Sequence, residues 1–461
     1  MRRVLGAVGA LALMGGGAHA NLFDTFGAGA RAQAMAGASV AIDDSPYAAY
    51  SNPAALALGP TMLAFGLTGN FNRTSILLKP RPSGYDPPGY GLTSARRDTE
   101  NPGGVAGFTV GFNLKLFDDS LAIGGALLLP VDGFGFTDSA FSDERAQYFD
   151  NRLNWELLGT RLNTEVMSFG LAYRLFEKLS MGLGVLVLPE NTTINQVYTP
   201  NGTDPSSVEL NLNIEQGARW AITAGVTYEP LDWLRLAVSF QDEMYFGVSG
   251  YNRVIIRGEE DEPVRQTINI VDGYSPPRFT GALALLDVAG VNLDLEGTYR
   301  AWSRYLGNHG EQTDFSDTVE WRLGLEYPFS KRTRLRAGAG WAPSPIGAQD
   351  GRTNYIDNDR VVLSGGAGRD FEIMGEVITV DVGMQLHSMI TRDVDKRVSP
   401  TGSYPACGPE VEGLCDELPD GESLFVDPRA SQGLQTGNPG FPGFTHGGYV
   451  ITAAIDLKWR F

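Results

Sequence analysis

The chain has 461 residues, with 36 Lys+Arg against 54 Asp+Glu and a formal net charge of −18. So acidic a chain argues against nucleic acid and against adhesion to anionic lipid. Beyond the first twenty residues no apolar run approaches the ~18–20 residues of a membrane-spanning helix. By hydropathy it therefore reads as a large soluble protein, unless its patterning says otherwise.

Residues 1–20 have the layout of a secretory signal peptide: Arg2 and Arg3, the apolar run VLGAVGALALMGGG, then the small-residue site AHA before Asn21. The alternative is a buried N-terminal helix. Residues 21–58, NLFDTFGAGARAQAMAGASVAIDDSPYAAYSNPAALAL, are small and Ala-rich and do not pattern as a strand. GARAQAMAGASVA suits a short helix. In SNPAALAL, Ser51 or Asn52 offers an N-cap, with Pro53 at the first helical position.

From residue 59 onward the chain alternates. In the last segment, YVITAAIDLKWRF, Tyr449, Ile451, Ile455, Leu457, Trp459 and Phe461 alternate with Thr452, Asp456, Lys458 and Arg460. A period of two marks a strand with one apolar and one polar face. DTVEWRLGLEYPF, VNLDLEGTYR, TRLRAGAGW and VITVDVGMQLH repeat the design. About fourteen such runs succeed one another, four of them centred on 178–198, 207–229, 233–250 and 266–286. Short connections (FDDS, FEKL, EPLDW, LDVAG, PFSKR) alternate with long ones such as 391–445.

That rhythm predicts an all-β, 14-stranded antiparallel transmembrane β-barrel over 59–461, apolar face to lipid and polar face to the lumen. Tyr173, Phe176, Tyr228, Trp233, Tyr327, Phe329, Trp459 and Phe461 suit interfacial girdles. A soluble sandwich of this size is the weaker alternative. Fourteen strands enclose more space than side chains fill, so 21–58 is expected to be a hatch plugging the lumen rather than a flexible tail. Glu296, Arg300, Arg322, Glu326, Arg334 and Arg336 are expected to line the lumen and to pair with one another and with the hatch. In an open pore the same charges would set ion selectivity. Cys407 and Cys415, in CGPEVEGLC, are expected to form a disulfide in an oxidising compartment.

DDSPYAAYSNPAALA resembles the hatch segment of the FadL/TodX family of outer-membrane transporters for long-chain fatty acids and other hydrophobic molecules, with Asn52-Pro53-Ala54 as its motif. YSPPRFTGALAL with VNLDLEGTYRAWSRY, and LRAGAGWAPSPI with YIDNDRVVLSGGAGRDF, resemble later blocks of that family. The resemblance implies a hatch-closed barrel, capture of ligand at the outer face and release sideways into the membrane beside a kinked third strand. The third strand here reads SLAIGGALLLPVDGFGF. Pro130 lacks a ladder amide, and Gly133 and Gly135 weaken the strand beyond it; the alternative is that Pro130 merely ends the strand. Phe141, Tyr148, Phe149 and Trp155, on an expected helix in the next loop, would form an extracellular hydrophobic groove or pack on neighbouring loops.

Enzyme readings fare poorly. There is no Gly-x-Ser-x-Gly elbow and no zinc-ligand spacing, and His387–Ser388 point to opposite strand faces. No catalytic, cofactor or metal site is expected, and the Asp357/Asp359 pair reads as a strand entry. The expected function is passive transport of a hydrophobic small molecule across the outer membrane of a Gram-negative bacterium, with gating at Asn52, Pro53 and Ala54. Expected partners are outer-membrane lipid and the barrel assembly machinery, reading terminal Phe461; a monomer would suffice. Long-chain fatty acids lead as cargo. Aromatic hydrocarbon uptake, or a non-transporting secretion or assembly role on the same barrel, are the alternatives.

Overall fold

A computed structural model describes residues 22–79, 99–131, 165–189, 191–200, 207–257, 264–305, 314–348, 355–395 and 443–461. The expected signal peptide, Gly133, Gly135, the groove residues Phe141, Tyr148, Phe149 and Trp155, and the cysteines Cys407 and Cys415 lie outside these.

Fourteen strands close into one antiparallel barrel. They begin with β1 (Met62–Leu78), β2 (Thr99–Leu116), β3 (Leu121–Val131), β4 (Val166–Phe176) and β5 (Leu179–Leu188). β6 (Asn191–Pro200) and β7 (Ser207–Gln216) leave the barrel, and β8 (Arg219–Leu231) and β9 (Leu234–Gln241) rejoin it. β10 (Met244–Arg257) and β11 (Val264–Ser275) leave again. The wall is completed by β12 (Arg278–Val288), β13 (Val291–Arg300), β14 (Thr318–Ser330), β15 (Thr333–Ala342), β16 (Arg360–Ile373), β17 (Glu376–Asp395) and β18 (Gly443–Arg460). β18 pairs back onto β1 from Met62↔Arg460 to Leu78↔Phe444, so no barrel edge remains.

The four runs centred on 178–198, 207–229, 233–250 and 266–286 are each two strands. β6, β7, β10 and β11 form a separate sheet in the order β11-β10-β7-β6. Period-two alternation continues through both halves, so it does not reveal the break. The breaks fall at Pro189, at Gly217–Ala218, at Asp242–Glu243 and at Pro276–Pro277. At the three prolines no backbone N–H is available to continue a ladder.

The alternation is read out as expected. In β18, Ile451, Ile455, Leu457 and Trp459 face outward, while Thr452, Asp456 and Lys458 are buried. Phe65, Leu67, Phe108, Leu171, Leu323 and Met384 continue this outward apolar surface around the wall. So large an exposed apolar belt requires lipid against it. Tight turns close the opposite end from the long loops; Ala289–Gly290 and Met374–Gly375 have positive φ at both residues, as two-residue hairpins demand. Tyr173, Phe176, Tyr228, Trp233, Tyr327, Phe329, Trp459 and Phe461 stay exposed near this short-turn end.

Candidate functional site

The lumen is occupied by the segment that precedes β1. It carries helices α1 (Leu22–Phe26), α2 (Gly29–Ala34) and α3 (Ala48–Ser51) and the 3-10 helix η1 (Pro53–Ala57). Leu22, Phe26, Ala30, Met35, Ala48 and Leu56 have no measurable exposure. α2 lies on β15–β18 and β1, whereas η1 lies on β3, β4, β5 and β8 across the lumen. Small residues make this seating possible, and so do glycines in the wall. A Cβ at Gly182 would fall 2.3 Å from Ala54 N, and one at Gly225 only 1.9 Å from Asn52 Oδ1.

Asn52 is the N-cap of η1, with Pro53 in the first turn, as the sequence suggests; Ser51 instead closes α3. Asn52 Oδ1 accepts from Ala54 N at 3.2 Å. Its Nδ2 donates to Val40 O at 2.8 Å and to the β8 side chain of Thr227 at 3.0 Å. One side chain thus caps the turn, ties two parts of the segment together and joins them to the wall. Below it, Asn113 donates to Leu56 O at 3.1 Å, and Arg174 and Lys115 both donate to Ala57 O.

On the other wall the contacts are ionic. Arg31 grips Glu326 through two nitrogens, at 3.2 and 3.0 Å, and reaches Asp44 at 2.8 Å. Glu326 continues to Arg336 at 2.6 Å, Arg336 to Asp381 at 2.6 Å, and Asp381 to Lys458 at 3.0 Å. Glu296 accepts from Ser39 N at 2.6 Å and from Val40 N. Asp456 accepts from Ala30 N at 2.6 Å, and Gln385 donates to Phe26 O at 2.6 Å.

At the long-loop end, Asp24 of α1 meets a group of guanidiniums. Arg278 pairs with it, and Arg300 donates to its backbone carbonyl at 3.3 Å. Burial pushes the Asp24 carboxyl up, but Arg278 and Arg300 outweigh this and hold it below the usual carboxylate range. Arg300 and Arg322 share Glu320, at 2.7 and 2.9 Å. A narrow cavity opens here, lined by Asp24, Arg300, Glu320, Arg322, Arg360 and His387. Above it Trp302 joins a buried aromatic cluster with Tyr274, Tyr305, Phe315 and Tyr355, in which Tyr305 stacks on Phe315 at 4.5 Å.

The opposite part of the upper lumen is apolar. Ala126 and Leu128 of β3, Val166 of β4, Leu186 of β5 and Ala221 of β8 form one buried cluster with Leu22, Phe23 and Phe26 of α1. The β3–β4 ladder ends there, at Leu128↔Val166. β3 itself runs on to Val131, with Pro130 paired to Gly107 of β2. Among the described residues Leu129–Val131 have a paired neighbour on one side only.

Of the six charges expected in the lumen, Glu296, Arg300 and Glu326 touch the plug directly. Arg336 reaches it through Glu326, Arg322 pairs with Glu320, and Arg334 pairs with Asp370 near the short-turn end. Sequence reasoning did not single out Arg278, Arg360 or Asp24. Arg278 and Arg360 open their strands at lumen-facing positions, a signal that becomes readable only once strand starts are known.

A model of the family "Outer membrane protein transport protein (OMPP1/FadL/TodX)" matches residues 7–262. A Salmonella typhi protein described as "Long-chain fatty acid transport protein" is 25% identical over 263 residues, which span 50% of this chain and 58% of that relative. The fold is similar to that of a Pseudomonas aeruginosa FadL homologue, with a TM-score of 0.60 at 15% identity, covering 94% of this chain and 99% of the other. The Pseudomonas putida toluene transporter TodX aligns with a TM-score of 0.54 at 13% identity, covering 95% and 99%.

Proposed function

The chain belongs to the OMPP1/FadL/TodX family of outer-membrane transport proteins, which are not enzymes, and from that premise we propose that it carries hydrophobic molecules passively across the outer membrane. Long-chain fatty acids are the leading cargo. A ligand partitions from outside into the upper lumen, the plug acts as a hatch that shifts locally, and the ligand leaves sideways into the membrane beside β3.

One observation carries this reading. The apolar lining of the upper lumen runs from α1 to the place where the β3–β4 ladder stops, at Leu128 and Val166. Elsewhere the wall mixes buried polar and charged residues, among them Thr223, Thr227, Glu296, Glu320, Asp381 and Lys458, with apolar ones such as Ile76, Met389, Phe444 and Val450. An apolar chain loses least along apolar lining, and here that lining reaches a stretch of β3 that, among the described residues, is paired on one flank only. Such a path uses no nucleotide or proton gradient. Asn52, which ties η1 to Val40 and Thr227, is with Pro53 and Ala54 the hatch's natural point of release. Phe461, which follows β18, is the residue proposed to be read by the barrel assembly machinery, and a single copy would suffice for this path.

The test is uptake of labelled oleate by cells lacking their own outer-membrane fatty-acid transporter. Uptake should depend on this protein, fail on deletion of residues 21–58, and fall when Asn52 and Pro53 are replaced in a barrel that remains heat-modifiable. Normal uptake in that last variant would sink the gating role. A second reading, aromatic hydrocarbon uptake, is favoured by the aromatic cluster of Tyr274, Trp302, Tyr305, Phe315 and Tyr355. Labelled toluene in the same cells separates the two. Absence of both uptakes, with a protein co-purifying in fixed ratio, would indicate a secretion or assembly role.

A further inference from the structure

Each of the hatch residues 39–42 is tied down through its backbone. Glu296 of β13 accepts from Ser39 N at 2.6 Å and from Val40 N. Arg235 of β9 donates to Ala41 O at 3.1 Å, and Arg31 of α2 donates to Ile42 O at 3.0 Å. Asp294 stands two residues before Glu296 on the same face of β13, and it shares a rung of the wall with Arg235 through Ala284 of β12. It holds none of these residues. Ala284 belongs to the buried apolar cluster that Met35, Val40 and Ile42 form with the wall. On the other side of Asp294 is Gly324 of β14, where a Cβ would stand 2.6 Å from Met35 Cε. Asp294 has no measurable exposure, and among the described residues neither of its carboxylate oxygens has a hydrogen-bond partner. The charges that act on it are those of Glu296, Arg31 and Arg235. Glu296 repels it, and both arginines are committed elsewhere, Arg31 to Glu326 and Asp44 and Arg235 to Glu229.

Buried polar groups in folded proteins are almost always partnered, so the exception asks for a reason. A carboxyl group shut away with no hydrogen bond destabilises whatever arrangement buries it, whether it is ionised or protonated. Here that arrangement is the seated hatch. We propose that Asp294 is a positioning residue for transport, which opposes the closed seat of hatch residues 39–42 and so holds that clasp near its point of opening. The inference rests on the hatch reading of the plug and adds the group that sets how readily the hatch lifts. The ties to Ser39, Val40, Ala41 and Ile42 keep the seat closed at rest, and Asp294 alone works against them. When the segment lifts, Asp294 regains water. Arg235, released from Ala41 O, is then on the same rung with only Ala284 between them. An apolar side chain at this position would instead complete the cluster of Ala237, Ala282 and Ala284 and lock the segment down.

The experiment is amide hydrogen exchange of the full-length protein in lipid nanodiscs, with oleate uptake by cells lacking their own transporter as the second readout. Asp294→Leu keeps the volume and removes every polar atom. It should slow exchange across residues 35–44 by about tenfold, the scale set by burying one unpartnered polar group, while the barrel strands exchange as in the wild type. Maximal oleate uptake should fall with it and the half-saturating concentration should stay the same, because the ligand meets the same surfaces. Asp294→Asn should move both readouts in the same direction by less, since its amide stays unpartnered. Loss of a merely structural residue would quicken exchange instead. Unchanged or quickened exchange in Asp294→Leu overturns the proposal, and so does slowed exchange with undiminished uptake. Loss of the heat-modifiable band of a folded barrel in Asp294→Leu overturns it too, because that variant is expected to be the more stable protein. Absence of wild-type uptake overturns the transport reading, and the exchange comparison then still decides whether Asp294 opposes the seat.

Discussion

At Arg31 the hatch is fastened by a residue nothing in its local sequence marks out. It lies in α2, a run of small residues, yet it reaches Glu326 on β14 with two nitrogens and continues into Arg336, Asp381 and Lys458. Removing one member of a buried ionic set leaves the rest uncompensated, at a cost of about 3–5 kcal/mol. Arg31→Ala should therefore loosen the hatch, and amide hydrogen exchange across residues 29–44 should quicken while the barrel strands keep their protection. Equal protection in the variant would show that the network belongs to the wall alone. Gly225 makes the complementary case for close packing. Its hydrogen leaves room for Asn52 Oδ1, and a Cβ would stand only 1.9 Å away. Gly225→Val should displace η1 and raise ion conductance across a planar bilayer. Conductance that stays at the wild-type level would mean the hatch re-seats without that contact.

Among the elements, β3 is paired to Val131 toward β2 but, among the described residues, only to Leu128 toward β4. If cargo leaves there, this end of the ladder has to spread. Cysteines placed at Leu128 and Val166, opposed in the last pair, should lower oleate uptake when oxidised and restore it on reduction. Uptake indifferent to the crosslink would move the exit elsewhere. Pro130 announced an irregularity in the sequence, but which of its two neighbours would be lost could not be read, because pairing belongs to two strands at once. Alternation made the barrel strands legible, since the side-chain period of two survives whatever the strand pairs with. The same robustness concealed the outer sheet: β5 and β6 alternate alike, and only Pro189 marks where one leaves the wall. The cap at Asn52–Pro53 was legible because capping is local. Arg278 was not, because a charge that opens a strand on its lumen face is readable only once the strand start is known.

For the molecule as a whole, strands at the long-loop end are shared between hairpins. The extension of β5–β8 and that of β9–β12 join through β7 and β10 into a single four-stranded sheet, which braces one flank of the mouth, while the β3–β4 side has no such brace among the described residues. The position of the hatch has a further consequence, in the order of construction. Its residues precede β1, yet Ala30 is bonded to Asp456 on the last strand, and α2 touches both β1 and β18. Those two strands form the seam that shuts the cylinder. A nascent wall curling around α2 would find its first and last staves aligned on a common former, and the plug would then act as a mandrel during manufacture as well as the proposed door.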